Sequence, residues 1–116
     1  MPEDWARPVV HWEIRARDPE AQRAFYGELF NWTIGEGRVM NIGAGIGAPE
    51  PISGHIARSD NPGVILSIQV LDLRATMEKA VTLGGKILNE PKDLPQGPTI
   101  AAIADPEGNR ISLIQQ

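Results

Sequence analysis

Hydrophobic and polar residues alternate along Val9–Ala16. Val10, Trp12, Ile14 and Ala16 fall on one face, and His11, Glu13 and Arg15 on the other, the period-two pattern of a half-buried strand. Asp18-Pro19-Glu20 follows: an N-capping side chain, a proline suited to the first helical position, and an acid at the positive end of a helix dipole. The spacing predicts a helix from Pro19 to about Phe30 with Ala21, Ala24, Phe25 and Leu29 as its buried stripe. Gly27 weakens that helix and suits close packing. Arg38 to Ile42 and Ile52 to Arg58 are candidate strands, with the Gly- and Pro-rich run Gly43–Pro51 between them as a loop. Ser59-Asp60-Asn61-Pro62-Gly63 is a turn cluster that joins two halves.

The second half restarts the first pattern. Val64 to Leu71 reads as a strand, Asp72 as an N-cap, and Leu73 to about Leu83 as a helix with Leu73, Met77, Ala80 and Val81 inward. Gly84-Gly85 ends it. Lys86–Asn89 is a short strand, Glu90–Pro98 a loop, and Thr99–Ile103 and Arg110–Gln115 a hairpin turned by Asp105-Pro106-Glu107-Gly108-Asn109. A shift of 54 residues brings Val10 onto Val64, Ile14 onto Ile68, Asp18 onto Asp72 and Leu29 onto Leu83, the signature of an internal repeat. The expectation is an α+β fold of two β-α-β-β-β modules, about 8–58 and 63–116, in one domain. Their curved sheets would surround a cleft, with helices outside. Trp12, Ile14, Leu66 and Ile68 would then face helices, and His11, Glu13, Arg15, Ile65, Ser67 and Gln69 the cleft.

Composition narrows the chemistry. With 116 residues, 41% hydrophobic and 22% charged, the chain reads as one globular domain. Eleven basic against fifteen acidic side chains give a net charge of −4, which argues against nucleic acid as a partner. No apolar run is long enough to span a membrane. The acidic start Met1-Pro2-Glu3-Asp4 does not read as a secretory signal, so a cytoplasmic setting is expected. Without cysteine there is no disulfide, thiolate nucleophile or Cys-held zinc. Gly43-Ala44-Gly45-Ile46-Gly47 lacks the Lys-Ser/Thr of a phosphate loop, and no nucleophile-elbow signature is present.

The ordered set His11-Trp12-Glu13-Ile14 through Asp18, Ala24-Phe25-Tyr26-Gly27 with Leu29-Phe30-Asn31-Trp32, Leu83-Gly84-Gly85-Lys86, and Asp105-Pro106-Glu107-Gly108-Asn109-Arg110 with Ser112-Leu113-Ile114-Gln115 resembles the vicinal oxygen chelate superfamily. That superfamily holds glyoxalase I, fosfomycin- and bleomycin-resistance proteins and extradiol dioxygenases. The resemblance covers nearly the whole chain and is closest to uncharacterised bacterial glyoxalase-like members. It implies a homodimer and a small-molecule ligand. In metal-using members the first ligand is a His seven residues before the capping Asp; His11 stands there. The equivalent point of the second half is Ile65, which cannot ligate, and Ser112 stands where a closing Glu is usual. A further ligand would come from near Ser53 or His55.

Three or four His, Asp or Glu donors are the usual need of a divalent ion. A site of His11, His55 and Glu13 is conceivable but unorthodox, whether for Zn, Ni, Mn or Fe. The preferred expectation is therefore a binding protein with no metal cofactor, its cleft lined by His11, Glu13, Ile65, Ser67, Gln69, Arg110 and Ser112, with Ile114 and Trp32 as apolar wall. The alternative is a metal-dependent glyoxalase-like lyase or dioxygenase using His11 with ligands from a partner chain. A third is a partner-binding domain with a vestigial cleft. Glu13 is the candidate catalytic base, or else an ion-pair partner of Arg15 or Arg110. Arg110 could instead grip a ligand carboxylate or phosphate. His11 is a ligand, a base or a hydrogen-bonding wall residue, and His55 faces either cleft or solvent. Trp5, Tyr26, Phe30 and Trp32 read as core or interface aromatics.

Overall fold

The computed structural model describes residues 6–43, 51–95 and 97–116. Trp5 and nearly all of the expected Gly43–Pro51 loop lie outside them. Among the described residues the elements are β1 (Val9–Ala16), α1 (Pro19–Phe30), β2 (Val39–Ile42), β3 (Gly54–Arg58), β4 (Gly63–Gln69), α2 (Leu73–Thr82), β5 (Lys86–Ile87), β6 (Lys92–Asp93), β7 (Thr99–Ala104) and β8 (Arg110–Gln115). This is the expected α+β class. The chain divides into two compact units, Val10–Ile65 and Leu66–Gln116, the latter with the residues preceding Val10.

In the first unit β3 is the middle strand, parallel to β1 and antiparallel to β2. The alternation of β1 buries Ile14 and Ala16 with Ile34, Met40, Ile42 and Ile56, and Trp12, Tyr26 and Trp32 pack on that core. Ile34 bridges Ile42 as an isolated pair. Helix α1 begins as predicted: the Asp18 carboxylate accepts the Ala21 N–H at 3.1 Å, worth about 1 kcal/mol, and Asn31 closes the helix at φ 59.

Its expected buried stripe is wrong. Ala21, Ala24, Phe25 and Leu29 are all exposed, and no α1 residue is fully buried. The inward side is set by Tyr26, whose ring stacks on Trp32 at 5.4 Å and 6°. One aromatic stack thus overrides the wider apolar stripe, because a large flat ring gains most by covering another. Gly27 lies beside Trp32, where a Cβ would meet its carbonyl oxygen at 3.5 Å. Trp32, expected as a possible cleft wall, is therefore part of the helix-side packing.

The second unit repeats the same pairing order. β4 is parallel to β8, and β8 is antiparallel to β7. Its core holds Val70, Leu73, Met77, Ala101, Ile103 and Leu113, with Ile68, Ala80 and Ile111 packed on it. Asp72 caps α2 by accepting the Ala75 N–H at 3.0 Å, and Gly84 at φ 100 ends it. The Gly85 N–H reaches back to the Ala80 carbonyl at 2.8 Å, a helix-ending wrap.

Two inward assignments fail: Val81 and Leu66 are 51% and 47% exposed. The expected loop Glu90–Pro98 also contains β6. Both β5 and β6 pair antiparallel with β7, so they are one edge strand interrupted before Pro91, which has no N–H to give. The gap is bridged by Asn89, whose side-chain oxygen accepts the Ala102 N–H at 2.9 Å. The β7–β8 turn is as predicted. The Asp105 carboxylate accepts from the backbone N–H of Glu107 and Asn109 and from the Asn109 side chain, and Gly108 supplies φ 92.

The entry of β3 is set by Gly54. A Cβ there would collide with ring carbons of Trp12, whose indole N–H donates to the Ile52 carbonyl at 2.8 Å. Gly54→Ala is expected to push Trp12 off this seat and cost about 1–3 kcal/mol, read by urea unfolding with tryptophan fluorescence. A change below about 0.5 kcal/mol, the level of an ordinary surface substitution, would show that Trp12 does not hold this strand.

Candidate functional site

The core claims Ile14 and Ala16 from β1, so His11, Glu13 and Arg15 must emerge on the other face. Ile56 does the same for β3, sending His55 outward, and Met40 and Ile42 do it for Asn41 of β2. The registers then set Glu13 beside His55, and His55 beside Asn41, in a polar row across three strands. His55 thus shares a face with Glu13 and Asn41, and the alternation Ile52, Gly54, Ile56 is the sequence signal that points to it. Asn41 was missed, although Met40 and Ile42 bracket it in the same way.

The side chains on this face are joined. His11 Nε2 lies 2.7 Å from His55 Nδ1, and the rings stack at 4.9 Å between centroids. His55 Nε2 lies 3.8 Å from Glu13 Oε2, an ion-pair rather than a hydrogen-bond distance. Arg15 Nε donates to the same Oε2 at 3.1 Å. One arrangement of protons suits every neighbour. His55 carries its proton on Nε2, toward Glu13. Its Nδ1 accepts the Nε2–H of His11. The lone pair left over is Nδ1 of His11.

The His55 N–H directed at Glu13, opposed by burial and helped by Arg15, holds the Glu13 carboxyl below its ordinary value. Burial, then the nearby charge of His55, against the pull of Glu13, lowers the pKa of His11. At neutral pH His11 is therefore an uncharged acceptor and Glu13 an anion. Of the two partners weighed for Glu13, Arg15 is the one that takes it.

These residues do not fit a resident metal ion. Two bonds of about 2.0–2.1 Å at a tetrahedral angle place the ligating nitrogens roughly 3.3 Å apart. The 2.7 Å between His11 and His55 is the separation of nitrogens sharing a proton. The carboxylate of the set already serves Arg15. Among the described residues no group of three or more His, Asp or Glu side chains is arranged to hold a metal.

The matching face of the second unit carries Ser67 of β4 beside Ser112 of β8, and Ser112 beside Ala102 of β7. Aligned on the core pairs Ile14–Ile56 and Ile68–Leu113, this row corresponds to Glu13, His55 and Asn41. Where one unit has titratable groups, the other has short side chains. Ser67 is buried at 6% exposure; Gln69, Arg110 and Ser112 are half-buried. Gln69 stands beside Ile114, and Arg110 opposite Ala104. Ile65, buried at 6%, falls in the first unit. No helix among the described residues is long and apolar enough to cross a membrane.

Residues 11–114 match the family model described as a glyoxalase-like domain. A comparison with curated protein sequences gave no match. Among solved structures, the chain is similar to a glyoxalase/bleomycin resistance protein/dioxygenase superfamily member from Vibrio splendidus 12B01, at TM-score 0.67 and 12% identity over 96% of this chain and 100% of that one. It is also similar to the Mn(II)-bound glyoxalase from Novosphingobium aromaticivorans, at TM-score 0.65 and 19% identity over 96% of this chain but 40% of that one. A third likeness is to methylmalonyl-CoA epimerase from Mycobacterium tuberculosis, at TM-score 0.61 and 15% identity over 92% of this chain and 86% of that one. At these identities the structural likenesses speak for the fold alone, but the family match spans nearly all of the chain: it belongs to the glyoxalase-like domain family, within the vicinal oxygen chelate superfamily.

Proposed function

We propose that this protein binds a small organic molecule without a resident catalytic metal, and that the polar face of the first unit is its recognition surface. The observation that carries this reading is the His11–His55 contact at 2.7 Å with Glu13 engaged by Arg15. Two of the ring nitrogens a metal would take are already shared with each other, and one carboxylate oxygen with Arg15. The free acceptor is His11 Nδ1, so the ligand presents a proton donor to it: an amine, amide or hydroxyl. If that donor gives up its proton, His11 can pass its own Nε2 proton toward His55 Nδ1, and the charge is then balanced by Glu13. Glu13 is thus a positioning and charge-balancing residue in this reading. In the second unit, Ser67, Gln69, Arg110 and Ser112 offer hydrogen-bonding groups on the equivalent face. The homodimer implied by the family belongs to the same reading.

Elemental analysis of purified protein is expected to show no stoichiometric metal, and Zn, Ni, Mn and Fe are expected to leave the melting temperature unchanged. An ion at a hundred times its dissociation constant would add about 2.7 kcal/mol and raise the melting temperature by about 11 °C. Such a rise, lost in His11→Ala, overturns the metal-free reading in favour of a metal-dependent lyase or dioxygenase.

The same network sets a pH dependence. Both His11 and Glu13 titrate lower in the fold than their ordinary values of 6.5 and 4.5. The unfolded chain therefore takes up protons first, and stability falls on acidification. The His11 contribution is lost as pH drops from 6.5 toward its folded value, and that of Glu13 as pH drops below 4.5. In urea melts across pH, His11→Asn is expected to flatten the upper part of this loss and Glu13→Gln the lower part. Unchanged curves in both variants would show that the two groups are not coupled to folding.

A further inference from the structure

Helix α1 turns its apolar stripe away from its own sheet. The half-buried residues of the helix are Pro19, Gln22, Arg23, Tyr26 and Gly27. Arg23 ties that side down, its Nε donating to the carbonyls of Ile34 and Gly35 at 3.0 Å each. The opposite side carries Ala21, Ala24, Phe25, Glu28 and Leu29, which recur at three- and four-residue steps and so form one stripe. Phe25 and Leu29 are 55% and 60% exposed. The same five residues line a shallow hollow of about 580 Å³. Single exposed apolar side chains are ordinary, but a contiguous stripe of them marks a surface that another body covers.

The stripe is complementary to itself. Its small residues, Ala21 and Ala24, lie toward the helix start, and its large ones, Phe25 and Leu29, toward the end. An antiparallel second copy therefore sets large on small. A two-fold axis between Ala24 and Phe25 brings Phe25 of each copy to the hollow over Ala21 and Ala24 of the other, as a knob enters a hole. The same axis places Glu28, the one charge of the stripe, opposite Ala21 in the first turn of the other helix. That turn is the positive end of the helix dipole, where a carboxylate is stabilised. A parallel pair would instead set Glu28 beside Glu28, like charge on like. The 12-residue helix is about 18 Å long, and its stripe covers roughly 400 Å² per copy, at the low end of what a specific pair buries.

We propose that the outward stripe of α1 is the contact between two copies of this chain, packed antiparallel about Ala24 and Phe25. With so small an area the pair is reversible, with a dissociation constant on the order of 10–100 µM. The inference rests on the homodimer included in the reading above and gives it a surface. It uses none of His11, Glu13 and His55, so ligand binding by each copy is separate from it.

Sedimentation velocity from about 5 µM to about 1 mM protein spans that constant and tests it. The wild-type chain is expected to pass from monomer to dimer over this range. Phe25→Glu and Leu29→Glu are each expected to stay monomeric at the upper end with unchanged circular dichroism. Val81→Glu, at a comparably exposed apolar position of α2, is expected to dimerise as the wild type does. Because the chain has no cysteine, introduced cysteines report the orientation. Under mild oxidation, Ala21→Cys mixed with Glu28→Cys is expected to give mainly the mixed disulfide, since that pairing alone falls within the roughly 4–7 Å between Cα atoms that a disulfide spans. Phe25 makes an edge contact with Tyr26; if its replacement unfolds the chain, Leu29→Glu and the cysteine pair decide the matter. A dimer that persists in the glutamate variants overturns this interface and leaves the homodimer standing, whereas a wild-type chain still monomeric at the highest concentration overturns both. A monomeric Val81→Glu, or Glu28→Cys joining itself as readily as it joins Ala21→Cys, also overturns the proposal.

Discussion

The seating of the Trp12 indole on Gly54 is the contact on which the first unit depends. A strand pair can slip, and a slip of one residue turns every side chain to the other face. The indole closes that option. It covers a residue without a side chain, and its N–H is tied to the Ile52 carbonyl two residues upstream. Trp12 is therefore opposite Gly54, Glu13 opposite His55, and Ile14 opposite Ile56. The core pair and the polar pair are two consequences of one register. Loss of the seat would disturb burial of Ile56, fully enclosed in the core, together with the contact between His55 and Glu13.

Much of this was legible in the sequence, because it rests on local chemistry. The alternation of Val9–Ala16, the Asp18 and Asp72 caps and the Asp105–Asn109 turn each act within a few residues, and each appears in the structure where the pattern placed it. The misplaced features depend on distant partners. The rotation of α1 is decided by Tyr26 on Trp32, a contact that helical periodicity cannot weigh against Ala21, Ala24, Phe25 and Leu29. Strand β6 exists because Asn89 bridges a break in the edge of β7, and two-residue strands leave no periodic trace. The facing of His55 was readable from Ile56. Its bond to His11 was not, since the two stand 44 positions apart in the chain.

Comparison of the units shows how one scaffold supports different chemistry. The core-facing pairs Ile14–Ile56 and Ile68–Leu113 are chemically alike, as packing of the same pairing order demands. The outward rows are free of that demand and have diverged: Glu13, His55 and Asn41 in one, Ser67, Ser112 and Ala102 in the other. Divergence also reaches a helix start. The Gln115 side-chain oxygen accepts the N–H of Leu73, the first residue of α2, while Pro19, the first residue of α1, has none to give.

The metal-free reading of the polar row rests on how two histidines and a carboxylate lie together. Two bare nitrogen lone pairs 2.7 Å apart would repel, so something positive must lie between His11 and His55. A proton meets the need at that distance; a metal ion would require the nitrogens to part. On the metal-free reading His11 Nδ1 is left to accept a hydrogen bond from a ligand. Such a face suits a ligand with a proton to share better than one that must be held by charge.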